Sequence, residues 1–135
     1  MAGYSGTPLP KKLGIKPGSR VALIDAPQGF DAILAPLPED VAFISGARAK
    51  FDVAVAFFTR AADLSQRFPA LVKRLEPSGG LWISWPKKSS GVATDLDENR
   101  IRAVGLATGL VDNKVCAVDD TWSGLRFVVR LADRR

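Results

Sequence analysis

The chain contains no histidine and a single cysteine, Cys116. Without histidine, every histidine-dependent triad and imidazole acid–base step is excluded. With one thiol, so is an internal disulfide, and the usual zinc ligand sets cannot be assembled. No apolar run approaches the roughly 20 residues that span a bilayer, and the opening MAGYSGTPLPKK lacks the apolar centre of a signal peptide. A soluble, cytoplasmic protein is expected. The most telling shortage is local. In Leu13 to Phe30, LGIKPGSRVALIDAPQGF, Pro17-Gly18 turns the chain into an apolar run from Val21 to Ile24 that Asp25 closes, which reads as a buried parallel strand. A loop that grips a phosphate or nucleotide cofactor would follow with several glycines, whose bare backbone lets N–H groups approach the ligand. Here the turn is Ala26-Pro27-Gln28-Gly29, with one glycine and a proline that has no N–H to offer.

What is present describes an ordinary globular chain. At 135 residues, 47% hydrophobic and 24% charged, it is long enough for one domain with a real core, spanning residues 1–135 with an N-terminal arm over 1–18. The net charge of +5 is uneven. Lys11, Lys12, Lys16 and Arg20 make the first 20 residues basic without a single acid. Arg126, Arg130, Arg134 and Arg135 against Asp133 make the last ten basic too, so the middle is slightly acidic. Basic ends on a near-neutral body read as solubilising more readily than as a nucleic-acid face.

Thr7 as N-cap, Pro8 at the first helical position and Gly14 past the end predict a short helix over Leu9 to Leu13. Val21 to Ile24 is the first strand. Gly29 to Leu34 is a short helix stopped by Pro36 and Pro38, and Val41 to Ile44 a short strand. Phe51 to Phe58, FDVAVAFF, is apolar throughout except Asp52 and suits a strand covered on both faces. Arg60 to Leu75 spaces Leu64, Phe68, Leu71, Val72 and Leu75 as a helix, with Pro69 bending or restarting it. Pro77-Ser78-Gly79-Gly80 predicts a turn into a strand from Leu81 to Trp85. Asp95 and Glu98 have the spacing of a capping box before a helix that turns Leu96, Ile101 and Val104 inward. Two strands close the chain, Val111 to Val118 and Leu125 to Leu131, joined by Asp119 to Gly124 as an antiparallel hairpin. Cys116 falls in the first of these and reads as a small core hydrophobe.

The alternation predicts an α/β, Rossmann-like domain: a mostly parallel sheet with an antiparallel C-terminal hairpin strand and helices on both faces. That pattern resembles the class I methyltransferase fold. LGIKPGSRVALID is similar to the lead into its first strand, FDVAVAFF to its fourth, and LEPSGGLWISWP to the helix-to-fifth-strand turn. The closing hairpin is similar to its sixth and seventh strands, and the third strand is lost or shrunken between Ser45 and Lys50. The resemblance implies a glycine-rich, acidic loop around S-adenosylmethionine after strand one and an acid on the ribose after strand two. This chain matches Asp25 and Gly29 of the first and has Ser45-Gly46, with no carboxylate, at the second. More specifically, GYSGTPLPKKLG, LWISWPKKSSG and VDDTWSGLRFVVR resemble a small bacterial family, a domain of unknown function, which brings no activity with it.

In open α/β sheets ligands sit outside the carboxyl ends of the parallel strands. Strand one delivers Asp25 and Gln28 there, the next long strand Thr59 and Arg60, the tryptophan strand Lys87, Lys88 and Ser89, and the hairpin turn Asp119, Asp120 and Trp122. Arg60, Lys87 and Lys88 suit a phosphate or carboxylate, with Trp122 as a stacking wall. Against this, strand ends are polar in any such fold, Lys87-Lys88 reads equally as a solvated turn, and Trp82 and Trp85 as core. Asp119 and Asp120 read as surface partners of Lys87 or Lys88 rather than as a metal site. Tyr4 with Lys11 and Lys12 either covers the ligand edge or packs the chain end down. The reading these features favour is a non-catalytic module that binds a small anionic ligand or a protein partner, without cofactor or metal. A divergent S-adenosylmethionine-dependent methyltransferase is the alternative, and nucleic-acid binding through the basic termini a second one.

Overall fold

The computed structural model describes residues 7–134; Tyr4 and the rest of the first six residues lie outside them. Six strands form one sheet in the order β2-β1-β3-β4-β6-β5. They are β1 (Arg20–Ile24), β2 (Ala42–Phe43), β3 (Phe51–Phe57), β4 (Leu75–Pro86), β5 (Val111–Ala117) and β6 (Trp122–Val128). β1 pairs parallel with β2 and β3, and β3 parallel with β4; β6 runs antiparallel between β4 and β5. The helices are α1 (Leu9–Leu13), α2 (Phe30–Ile33), α3 (Ala61–Arg74) and α4 (Glu98–Ala107). This is the Rossmann-like, methyltransferase-type sheet with its reversed C-terminal strand. Among the described residues no strand forms between Ser45 and Lys50, and no helix is long and apolar enough to cross a membrane.

The core has two halves because the strands alternate. In β3, Ala54 and Ala56, with Phe58 just beyond, face Leu64, Phe68 and Leu71 of α3 and Ile101 of α4. Val53, Val55 and Phe57 face the other way, onto Leu13, Phe30 and Leu34. Both faces of β3 are thus buried, as its unbroken apolar run requires. Trp82 is fully buried on the second face, its Nε1 donating to the Leu13 carbonyl at 2.9 Å, which ties the end of α1 to the sheet.

Several local expectations are corrected. α1 begins at Leu9 with Pro8 as its N-cap and no side-chain cap, not with Thr7. Pro69 lies inside an uninterrupted α3. The carbonyl that loses its donor belongs to Ser65, on the exposed side of the helix, so the missing bond is not buried. Pro77 to Gly80 makes no turn: β4 starts at Leu75, and the pairing slips from Phe51↔Leu75 to Val53↔Gly80. Glycine is needed here because a Cβ on Gly79 would lie 2.4 Å from the Asp52 carbonyl oxygen. The Asp95–Glu98 box does not form. Asp97 caps α4, accepting from the Arg100 amide at 2.8 Å, while Asp95 reaches back to the Ala61 amide at the start of α3. Finally, β6 starts three residues early, at Trp122, and Gly124 is a strand residue. A Cβ there would meet Val118 at 3.0 Å and Trp82 at 3.1 Å, so packing rather than a turn selects this glycine. Cys116 is half-buried against the second core; burial pushes its thiol up against the pull of Lys12 and Lys114, which keeps it protonated at neutral pH.

Candidate functional site

From β1 the chain passes through α2 to β2 on one side, then crosses back to β3 on the other. The crevice at the carboxyl ends of β1 and β3 is therefore the point where the winding reverses. A cleft of about 480 Å³ lies there, lined by Asp25 from the end of β1, Phe57, Phe58 and Thr59 from the end of β3, Asp63 and Arg67 from α3, and Trp122 from β6. A second cleft of about 300 Å³ runs towards β2, past Ser45 and Gly46. Asp25 and Arg67 line both, so the ion pair between Arg67 Nη1 and Asp25 Oδ2 stands where the two clefts meet.

Each wall has a local cause. Asp25 takes the left-handed region at φ 56°, which aspartate tolerates better than most side chains, and Gly29 follows at φ 84°. The loop after β1 therefore bends with two positive-φ residues although it has only one glycine. Phe57 sits edge-on between Phe30, at 4.9 Å, and Trp122, at 5.0 Å. The Arg67 guanidinium lies 5.6 Å over the Phe58 ring. The segment after β3 is pinned from outside: Thr94 Oγ1 donates to the Thr59 carbonyl at 2.6 Å, and Asp95 accepts from the Ala61 amide at 2.7 Å.

Of the residues singled out in the sequence, Asp25 and Trp122 line this cleft with Thr59. Gln28, Arg60, Lys88 and Ser89 are exposed and outside its lining. Lys87 donates from Nζ to the Asp119 carbonyl at 2.9 Å and from its amide to the Thr121 carbonyl at 2.8 Å, so it braces the hairpin turn. The Asp119 carboxylate accepts from the amides of Thr121 and Trp122, both at 2.8 Å, and shapes that turn; Asp120 is exposed beside it. The cation in the cleft is Arg67, a residue the sequence did not single out. The available signal was its spacing: Asp63 and Arg67 are four residues apart, off the Leu64-Phe68-Leu71 stripe.

No family model matches the sequence, and no curated protein does. Solved structures do match in fold. The ribosomal protein L11 methylase of Lactobacillus delbrueckii subsp. bulgaricus superposes with a TM-score of 0.59 at 16% identity, over 90% of this chain and 75% of that one. A SAM-dependent methyltransferase from Aquifex aeolicus gives 0.59 at 15% identity, over 89% of this chain and 87% of that one. Aeropyrum pernix fibrillarin, solved with natively bound S-adenosyl-L-methionine, gives 0.58 at 15% identity, over 86% and 69%. These likenesses place the fold among class I S-adenosylmethionine methyltransferases. The expectation of a non-catalytic binding module is thereby corrected: likeness to S-adenosylmethionine-dependent methyltransferases favours the alternative reading of the sequence over it.

Proposed function

We propose that the protein is a divergent S-adenosylmethionine-dependent methyltransferase whose cofactor takes the cleft at the carboxyl ends of β1 and β3. The observation that carries this reading is the cleft's position at the reversal point of the sheet, with Asp25 closing β1 and Gly29 at positive φ in the loop behind it. The donor set suits most of such a ligand. Asp25 and Asp63 provide carboxylates for an ammonium and a sulfonium, Arg67 a guanidinium for a carboxylate, and Phe57, Phe58 and Trp122 flat apolar walls. The ribose end fits less well: Ser45 and Gly46 stand at the end of β2 where the fold usually carries an acid, and Pro27 withholds an amide. Losing a hydrogen bond to a charged acceptor weakens binding by about 10- to 100-fold.

When bound, the cofactor supplies an electrophilic methyl group on a sulfonium. The chain's own contribution is to exclude water with the aromatic walls and to hold Asp25 and Arg67 as a matched pair. Asp63, which has no ion-pair partner among the described residues, takes the proton released by the accepting atom. Calorimetric titration with S-adenosylmethionine and S-adenosylhomocysteine tests the reading. Saturable binding of both is expected; absence of binding at millimolar ligand overturns it.

A further inference from the structure

At the opposite edge of the sheet, about 15 Å away along β1, the parallel strands begin, and Lys16 and Arg126, one from each basic segment of the sequence, come to the same cavity. A cavity of about 330 Å³ lies among their amino ends. Lys16, Ser19, Asp52, Ser78, Gly79 and Arg126 are in its lining. Arg126 is the unusual member. It projects from β6 onto the second face of the sheet, half-buried, and makes no hydrogen bond or ion pair among the described residues. Every other buried or half-buried arginine assigned a partner has a carboxylate or a carbonyl: Arg20 has Asp52, Arg74 the Ala49 carbonyl, Arg102 Glu98 and Asp112.

The sequence makes room for this guanidinium. A Cβ on Gly80 would lie 2.4 Å from Arg126 Nε and 2.8 Å from Nη2, so glycine at 80 is what lets the side chain lie across β4. Desolvation, with the nearby Arg134, pulls the Arg126 pKa down, the mark of a charge whose water has been removed without an anion to replace it. The one acid in the lining does not fill that role. Asp52 is held by Arg20, which donates to it from its amide at 2.8 Å, from Nε at 3.2 Å and from Nη2 at 3.3 Å. Lys16 adds a second cation. Ser19 Oγ accepts from the Lys16 amide at 2.9 Å and keeps its own proton to donate.

We infer that this cavity is a second binding site, for a phosphate-type oxyanion, with Arg126 as its principal ligand and Lys16 and Ser19 as supporting donors. A dianionic phosphoryl group matches two cations and a hydroxyl better than a lone carboxylate does, and the guanidinium fork presents paired donors to it. The site stands apart from the proposed cofactor cleft and does not depend on that reading.

The test is titration of the full chain with inorganic phosphate, pyrophosphate and AMP at constant ionic strength set by chloride, followed by amide and Arg Nε NMR shifts and by calorimetry. Saturable shifts at Ser19, Gly79 and Arg126 Nε are expected in the unaltered protein, with none at Asp25 or Thr59. R126M should bind at least tenfold more weakly and K16Q several-fold more weakly, while K88A at the other edge matches the parent. Because R126M keeps the aliphatic stem and removes an unpaired charge, its melting temperature without anion should equal or exceed the parent's. A purely structural Arg126 would lower it. Tighter binding of AMP than of phosphate identifies an ester as the natural ligand; equal binding identifies the free anion. Shifts no larger than chloride produces, or R126M binding within twofold of the parent, overturn the site.

Discussion

Asp25 and Arg67 meet at the surface, their side chains 60% and 44% exposed, so their ion pair adds little to stability. D25N and R67Q should each shift the unfolding free energy by less than about 1 kcal/mol, yet each should weaken S-adenosylmethionine binding about tenfold by removing a charged partner. Denaturant unfolding beside calorimetric titration separates the two effects. Large destabilisation with unchanged binding would make the pair structural. Asp52 behaves differently. Burial alone would raise its carboxyl, but the hydrogen bonds from the Arg20 side chain and amide, and the Arg20 charge, outweigh that and hold it below the ordinary value. A depressed folded pKa stabilises the protein above the unfolded value, about 3.9, and that stability disappears as pH falls through the folded one. D52N should therefore lower the melting temperature at pH 7 and flatten its fall below about pH 4, as thermal unfolding across pH will read. That Asp25 lies at the cleft was legible because it ends an apolar strand. Arg67 was not, because only the way α3 lies across the sheet turns its polar side to the cleft.

Element by element, helix packing sets a sharper demand than helix propensity. Gly105 lies in α4 where a Cβ would come within 2.0 Å of Phe127 Cε1, a fully buried ring on β6 that also stacks edge-on with Phe68 at 5.6 Å. In an exposed helix, glycine to alanine gains about 1 kcal/mol. Here overpacking costs about 1–3 kcal/mol, so G105A should be net destabilising. G124A meets contacts of 3.0–3.1 Å and should cost less. Urea unfolding of both variants checks the order; a stabilised G105A would refute the packing argument. The strand and helix alternation was readable because apolar periods of two and of 3.6 differ plainly over FDVAVAFF and over Leu64-Phe68-Leu71. Boundaries escaped wherever glycine served close approach rather than turning. Gly79, Gly80 and Gly124 look like turn residues in sequence, and all three lie in strands against a neighbouring atom.

Over the whole molecule, the parallel run β2-β1-β3-β4 separates two edges with different chemistry. The cleft at the carboxyl edge has Asp25, Asp63, aromatics and Arg67; the amino edge has Lys16, Arg20 and Arg126, drawn from both basic segments of the chain, with Asp52 held by Arg20. That Lys16 and Arg126 meet was hidden in the sequence, where more than 100 residues separate them; only the return of β6 beside β4 joins them. In the proposed function S-adenosylmethionine occupies the reversal point between β1 and β3. That placement is tested most directly by mapping amide NMR shifts as S-adenosylmethionine is added to the full chain. Saturable changes are expected at Asp25, Gly29, Ser45, Gly46 and Thr59 and at the Trp122 indole, with Ser19 and Gly79 unmoved. Shifts clustered at the amino edge, or none anywhere at millimolar cofactor, would contradict it.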